Sequence, residues 1–125
     1  ELLDKQNSSS IIISTGEQQR LHVVMAYIVE HFTEEVSLKK AAAIANMTPP
    51  AFCKYFKRIT RKTFIEAVTE YRVDHAAQQL INTAHSISQI SFDSGFNDLS
   101  HFHKTFKATM QLSPLCYRNE FMEKL

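Results

Sequence analysis

The chain has 125 residues, 44% hydrophobic and 22% charged, with only two Gly and three Pro and a formal net charge of +1. That length buries a core without metal or disulfide staples, and the scarcity of Gly and Pro disfavours a sheet-rich or disordered chain. The small net charge conceals a split: residues 1–36 set two bases against six acids, net −4, and residues 37–125 set twelve bases against seven acids, net +5.

Residues 1–19 show no helical period and hold a Ser triplet and Thr15-Gly16, so they read as a linker or tail. Ile11, Ile12 and Ile13 suggest a short extended stretch there, either the remnant of a preceding domain or a strap over the core. From Arg20 the spacing of Leu21, Val24, Met25, Ile28 and Phe32 predicts a first helix with one apolar stripe. Ser37 is a candidate N-cap for a short Ala-rich helix over 38–45, and Asn46-Met47 is a turn. Thr48 caps a third helix, with Pro49 at its first position, running to about Ile59. Thr63 and Glu66 have capping-box spacing before a long fourth helix ending near Asn82. Ser86 and Gln89 repeat that spacing before a short fifth helix ended by Gly95. Asp98 caps a sixth helix through about Ala108, and Ser113-Pro114 opens a seventh. The predicted fold is all-α: seven helices forming two helix-turn-helix units, 20–62 and 83–125, joined by a linker helix over 63–82.

The six residues Phe52-Cys-Lys-Tyr-Phe-Lys57 align with Phe102-His-Lys-Thr-Phe-Lys107 at an offset of 50. Each copy follows a short helix, a turn and a capping residue, so each is the second helix of a helix-turn-helix. Phe at i and i+4 fall on one helix face and belong to the core, which leaves Lys54 and Lys104 for a partner. Residues 48–62 hold Lys54, Lys57, Arg58, Arg61 and Lys62 and no acid, a footprint suited to phosphates. A spacer helix of roughly 28 Å is close to the ~34 Å turn that separates successive major-groove segments of B-DNA.

These residues resemble the DNA-binding domain of the AraC/XylS family of transcriptional regulators over about residues 20–121. The matching pieces are Leu38–Ala42, Thr48-Pro49, Phe52, Phe56-Lys57, Tyr71-Arg72 with Ala76, Ser86-Ile87 with Ile90, Gly95-Phe96, Phe102, Phe106-Lys107, Ser113-Pro114 and Tyr117-Arg118. The resemblance implies control of transcription from double-stranded DNA, commonly activation through contact with RNA polymerase. It also implies work in the cytoplasm at the nucleoid, and either a homodimer formed through a separate N-terminal sensor domain or a short stand-alone regulator. By the same resemblance the base readers fall on Pro50, Cys53 and Lys54 in the first unit and on Leu99, Ser100, His103 and Lys104 in the second. Thr48, Lys57, Arg58, Arg61, Lys62, His101 and Lys107 suit phosphates. Where the family places Gly after each recognition helix, this chain has Arg61 and Gln111.

Other chemistries fit poorly. His101 and His103 with Asp98, Ser100 and Cys116 invite a metal or hydrolase reading, but residues two apart on a helix point to different faces and no second cluster completes a site. The sequence offers no Gly-rich phosphate loop or paired carboxylates, so no enzyme and no cofactor is expected. Cys53 and Cys116 are too few for a disulfide framework and read as free thiols of a reducing cytosol, Cys116 buried against the fifth helix. No apolar run approaches the ~18 residues that span a bilayer. Tyr71-Arg72 and Arg118 read as groups that pack and pair within the fold. The competing function is a helical module that binds protein or coats DNA without sequence preference.

Overall fold

The structure, a computed structural model, describes residues 15–124, and the side chains of residues 15–122. Its helices are α1 (Thr15–His31), α2 (Leu38–Ile44), α3 (Pro49–Thr60), α4 (Phe64–Asn82), α5 (Ile87–Asp93), α6 (Leu99–Met110) and α7 (Pro114–Lys124), with no strand among the described residues. Ile11–Ile13 and the rest of residues 1–14 lie outside them. The chain forms two compact units. One takes the described residues up to Glu30 with Val36–Glu66, and the other takes His31–Glu35 with Ala67 onward.

Caps set most boundaries. Ser37 accepts from the Lys40 N–H at 3.1 Å, Thr48 from Ala51 at 3.4 Å, and Pro49 occupies the first turn of α3. Ahead of α4 the capping box is complete: the Glu66 N–H donates to Thr63 Oγ1 at 3.0 Å and the Thr63 N–H to Glu66 Oε1 at 2.8 Å. The backbone hydrogen bond from Thr63 is the main reason the Glu66 carboxyl is held below its usual range. The second box is only half made. Ser86 caps Gln89, but the Gln89 amide turns away to donate to the Asp93 carboxylate at 2.8 Å, a charge-assisted bond one helical turn on.

One boundary differs from the sequence reading. Residues 15–19 are the first turn of α1 rather than linker. Thr15 to Gln19 carry no apolar stripe, so periodicity gives no sign of them; their anchor is tertiary, through Glu17.

In the first unit Val24, Tyr27 and Ile28 of α1 join Ala41, Ala42 and Ala45 with Phe52, Tyr55, Phe56 and Ile59 in the core. Phe64, opening α4, stands edge-on to both Phe52 and Phe56, at 5.7 and 5.9 Å between ring centroids. In the second unit Val73, Ala76, Ala77 and Leu80 of α4 pack with Ile90, Phe96, Phe102 and Phe106. Tyr117 closes that core edge-on against Phe106 at 5.4 Å. Cys116 is exposed, contrary to the sequence reading. Pro114 takes the fully buried place on α7, and Tyr117 and Arg118, three and four residues on, share its face, which turns Leu115 and Cys116 outward.

The repeat extends to the backbone. After α2, Asn46 (φ 59) takes the left-handed conformation, with Asn46 and Met47 N–H groups donating to the Ala43 and Ala42 carbonyls; after α5, Gly95 (φ 103) and Phe96 do the same to Phe92 and Ser91. The second turn carries one extra residue, which shifts the offset between the units from 49 to 50. α3 and α6 each run 12 residues and end on Arg61 (φ 66) and Gln111 (φ 68). Both ends therefore keep the left-handed geometry that the family fills with Gly and bear its strain with a side chain in place. Gln111→Gly and Arg61→Gly are each expected to stabilise the chain by about 0.5–1 kcal/mol, read as a rise in thermal midpoint. A fall in midpoint for both would contradict that account.

Candidate nucleic-acid interface

At ~100° per residue, the buried Phe52, Tyr55, Phe56 and Ile59 define one face of α3. Pro50, Cys53, Lys54 and Lys57 fall on the opposite face, all exposed. α6 repeats this arrangement: Phe102 and Phe106 are fully buried, and Ser100, His103, Lys104 and Lys107 stand exposed opposite them. Leu99 lies nearer the core edge of α6, yet 43% of it is exposed. The first unit thus gathers its expected base readers on one helix face, and the second gathers Ser100, His103 and Lys104 there but not Leu99, with Lys57 or Lys107 one turn along from Cys53 or His103.

The phosphate candidates are more scattered. Thr48 spends its hydroxyl on capping α3. Arg61 is exposed just past the end of that helix. Lys62 is half-buried, its backbone N–H on Thr60 Oγ1. His101 sits on the flank of α6, its ring 6.0 Å from that of Phe96. Arg58, on the flank of α3, pairs with Glu17 in the first turn of α1. The Tyr55 hydroxyl donates to the Glu17 carbonyl at 3.2 Å, and the Arg20 guanidinium lies 5.9 Å from the centre of the Tyr55 ring. Burial raises the Tyr55 phenol above its ordinary range, so it remains a neutral donor at physiological pH. Sequence reasoning missed Glu17, Arg20 and Tyr55. The available signal was the mismatch of Tyr55 with Thr105 and of Arg58 with Ala108 within the repeat.

The two helix starts differ electrostatically. α3 has a neutral cap and no acid, so its N-terminal dipole and its cations reinforce one another toward an anion. α6 starts on Asp98, whose two carboxylate oxygens accept from the Ser100 and His101 N–H groups at 3.3 and 3.2 Å. That carboxylate already satisfies part of the helix end, so the exposed polar donors of this face are the side chains of Ser100, His103, Lys104 and Lys107.

A family model described as a helix-turn-helix domain matches residues 41–120. The chain belongs to the AraC/XylS family. The transcriptional activator RhaS of Enterobacter sp. (strain 638) is 30% identical over 95 residues, which cover 76% of this chain and 34% of RhaS. The MmsAB operon regulatory protein of Pseudomonas aeruginosa is 30% identical over 93 residues, covering 74% of this chain and 30% of that protein. The chain thus spans about a third of the length of these relatives. Among solved structures, the DNA-binding domain of AdpA, in complex with a target DNA, superposes with a TM-score of 0.79 at 24% identity, over 84% of this chain and 95% of that one. This likeness establishes the all-helical fold. AraC/XylS members are transcription regulators, so the expectation of a DNA-binding domain rather than an enzyme holds on family membership. Among the described residues no cluster of His, Cys, Asp and Glu is arranged to hold a metal, and no helix is long and apolar enough to cross a membrane.

Proposed function

We propose that this chain recognises a particular double-stranded DNA sequence as part of a transcription regulator, with α3 and α6 as recognition helices entering successive major-groove segments. The observation that carries the reading is the recurrence of one device: a capped 12-residue helix with a buried Phe pair beneath and an exposed Lys face above. α4, at 19 residues about 28 Å long, is a spacer of the right order for a ~34 Å groove repeat. Lys54 and Lys104 can bond guanine O6 and N7, Ser100 and His103 can bond base edges, and Pro50 and Leu99 can touch a thymine methyl. The first unit, whose Pro50 and Cys53 offer little hydrogen bonding, acts more as an electrostatic anchor, and the second as the discriminating reader. RhaS is named a transcriptional activator, which supports activation here too; contact with RNA polymerase, in the cytoplasm at the nucleoid, is the route this reading gives it. A domain preceding this one would supply the dimer contact.

Selection of bound duplex from a random pool tests the reading. An enriched motif bound ~10³-fold or more tighter than bulk DNA at physiological salt is the expected result, and a pool without enrichment would leave only a non-specific binder. Within a specific complex, Lys104→Ala is expected to cost about 1–3 kcal/mol and relax base preference at one position. Lys57→Ala should weaken all sequences alike and lower the salt slope by about one. Equal losses from both variants on selected and random DNA would refute this division of roles.

A further inference from the structure

Among the described residues, contacts from Glu17 and Arg20 fasten the N-terminal part of α1 to α3. The Glu17 carboxylate pairs with Arg58, the Glu17 carbonyl accepts from the Tyr55 hydroxyl, and Arg20 lies over the Tyr55 ring. Only the first involves the Glu17 side chain; the other two dock the helix without it.

Arg58 occupies a particular place on α3. By helical geometry it stands about 40° round from Lys54 and about 100° from Lys57, between the exposed Lys face and the buried face. A side chain on that flank meets the phosphates that border a groove rather than the bases within it. Glu17 offers the same guanidinium another oxyanion, and carboxylate and phosphate both match its fork of donors. The pair is partly exposed, with 53% of the Arg58 side chain and 25% of the Glu17 side chain accessible, so a second anion can compete for Arg58.

The internal repeat shows that this contact is peculiar to the first unit. The Phe and Lys positions recur at an offset of 50 as Phe52/Phe102, Lys54/Lys104, Phe56/Phe106 and Lys57/Lys107. The two side chains that hold α1 do not recur: Tyr55 is answered by Thr105 and Arg58 by Ala108.

The geometry points to a charge latch, in which Glu17 holds Arg58 out of the phosphate-binding set and the first turn of α1 sets how strongly the first unit grips DNA. This rests on the proposed DNA reading and adds to it an intramolecular competitor for the backbone phosphate. Binding and latching are reciprocal: DNA that takes Arg58 releases Glu17, and whatever fixes Glu17 on Arg58 weakens DNA binding by the same factor.

Glu17→Gln removes the charge while leaving the Tyr55 and Arg20 contacts, and Glu17→Ser, with a residue suited to a helix start, serves as a second variant. Both are measured by titration of selected and random-sequence duplexes over a range of salt, with thermal melts alongside. Each variant is expected to bind both duplexes about two- to fivefold tighter at low salt, the factor an exposed ion pair spans. The salt slope should steepen by about 0.9, one phosphate gained. In an Arg58→Gln background the gain should vanish. Unchanged or weaker binding with an unchanged slope overturns the latch, as does a gain that survives Arg58→Gln. Random duplex reports the latch whether or not any sequence is preferred, so a failed selection removes sequence recognition alone; a chain that binds neither duplex overturns the DNA reading itself.

Discussion

Gly95→Ala is expected to cost about 2–4 kcal/mol and to lower the thermal midpoint by roughly 10 °C. Two causes coincide at the turn between α5 and α6. Gly95 has φ 103, beyond the left-handed region that side chains tolerate. A Cβ there would also stand 2.6 Å from the Phe32 carbonyl oxygen and 2.8 Å from Arg72 Nε. Those two atoms are partners in one hydrogen bond, Arg72 Nε donating to Phe32 O at 2.6 Å, so neither can retreat without breaking it. Arg72 also donates to the Glu34 carbonyl at 2.9 Å, and burial lowers its pKa, so a displaced guanidinium would lose compensation for its desolvation. Gly95→Asn separates the causes. Asparagine accepts positive φ, as Asn46 does at φ 59 in the other turn, but it brings the same Cβ. The asparagine variant is expected to melt nearly as low as the alanine variant; near-wild-type melting would mean that backbone conformation alone, and not the close approach, demands glycine.

What could be read from the sequence divides along a physical line. Periodicity and caps act between residues a few positions apart, and there the reading of helices agrees with the structure: α4 begins after Thr63 and ends at Asn82, and Asn46 and Gly95 mark the turns. The Phe pairs fell to the core because i, i+4 spacing fixes their face, and Lys54 and Lys104 are exposed by the same argument. Contacts between residues distant in sequence left no such trace. Glu17 reaches Arg58 across 41 positions, so the polar first turn of α1 looked like linker until its partner was visible. Cys116 was misplaced for a related reason, since its residue type suits burial and only the seating of Pro114 on α7 turns it outward. Arg61 and Gln111 were legible as departures from a glycine pattern. That the helix ends keep left-handed geometry, at φ 66 and φ 68, depended on the energy of the whole unit rather than on either residue.

Arg118→Ala is expected to rival the glycine substitution, at about 2–4 kcal/mol, while leaving the salt dependence of DNA binding unchanged. From α7, Arg118 Nε donates to the Leu80 carbonyl at 2.9 Å and a terminal nitrogen to the Thr83 carbonyl at 3.1 Å. Both acceptors lie at the C-terminal end of α4, where unpaired carbonyls concentrate partial negative charge, so the guanidinium supplies hydrogen bonds and opposes the helix dipole together. Arg72 does the equivalent for the carbonyls of Phe32 and Glu34 just past the end of α1. Two of the twelve bases in residues 37–125 are thereby committed to helix ends, which a count of positive charge would have assigned to DNA. Arg118→Lys keeps the charge but loses the fork, and is expected to recover less than half of the stability, because a single ammonium cannot hold both carbonyls at their present spacing. The measurement that separates the roles pairs a thermal melt with a salt titration of duplex binding. A variant that melts like wild type yet loses about one unit of salt slope would make Arg118 a phosphate contact, and the seating of α7 would then rest on Pro114 and on Tyr117 against the second core, Phe106 of α6 included.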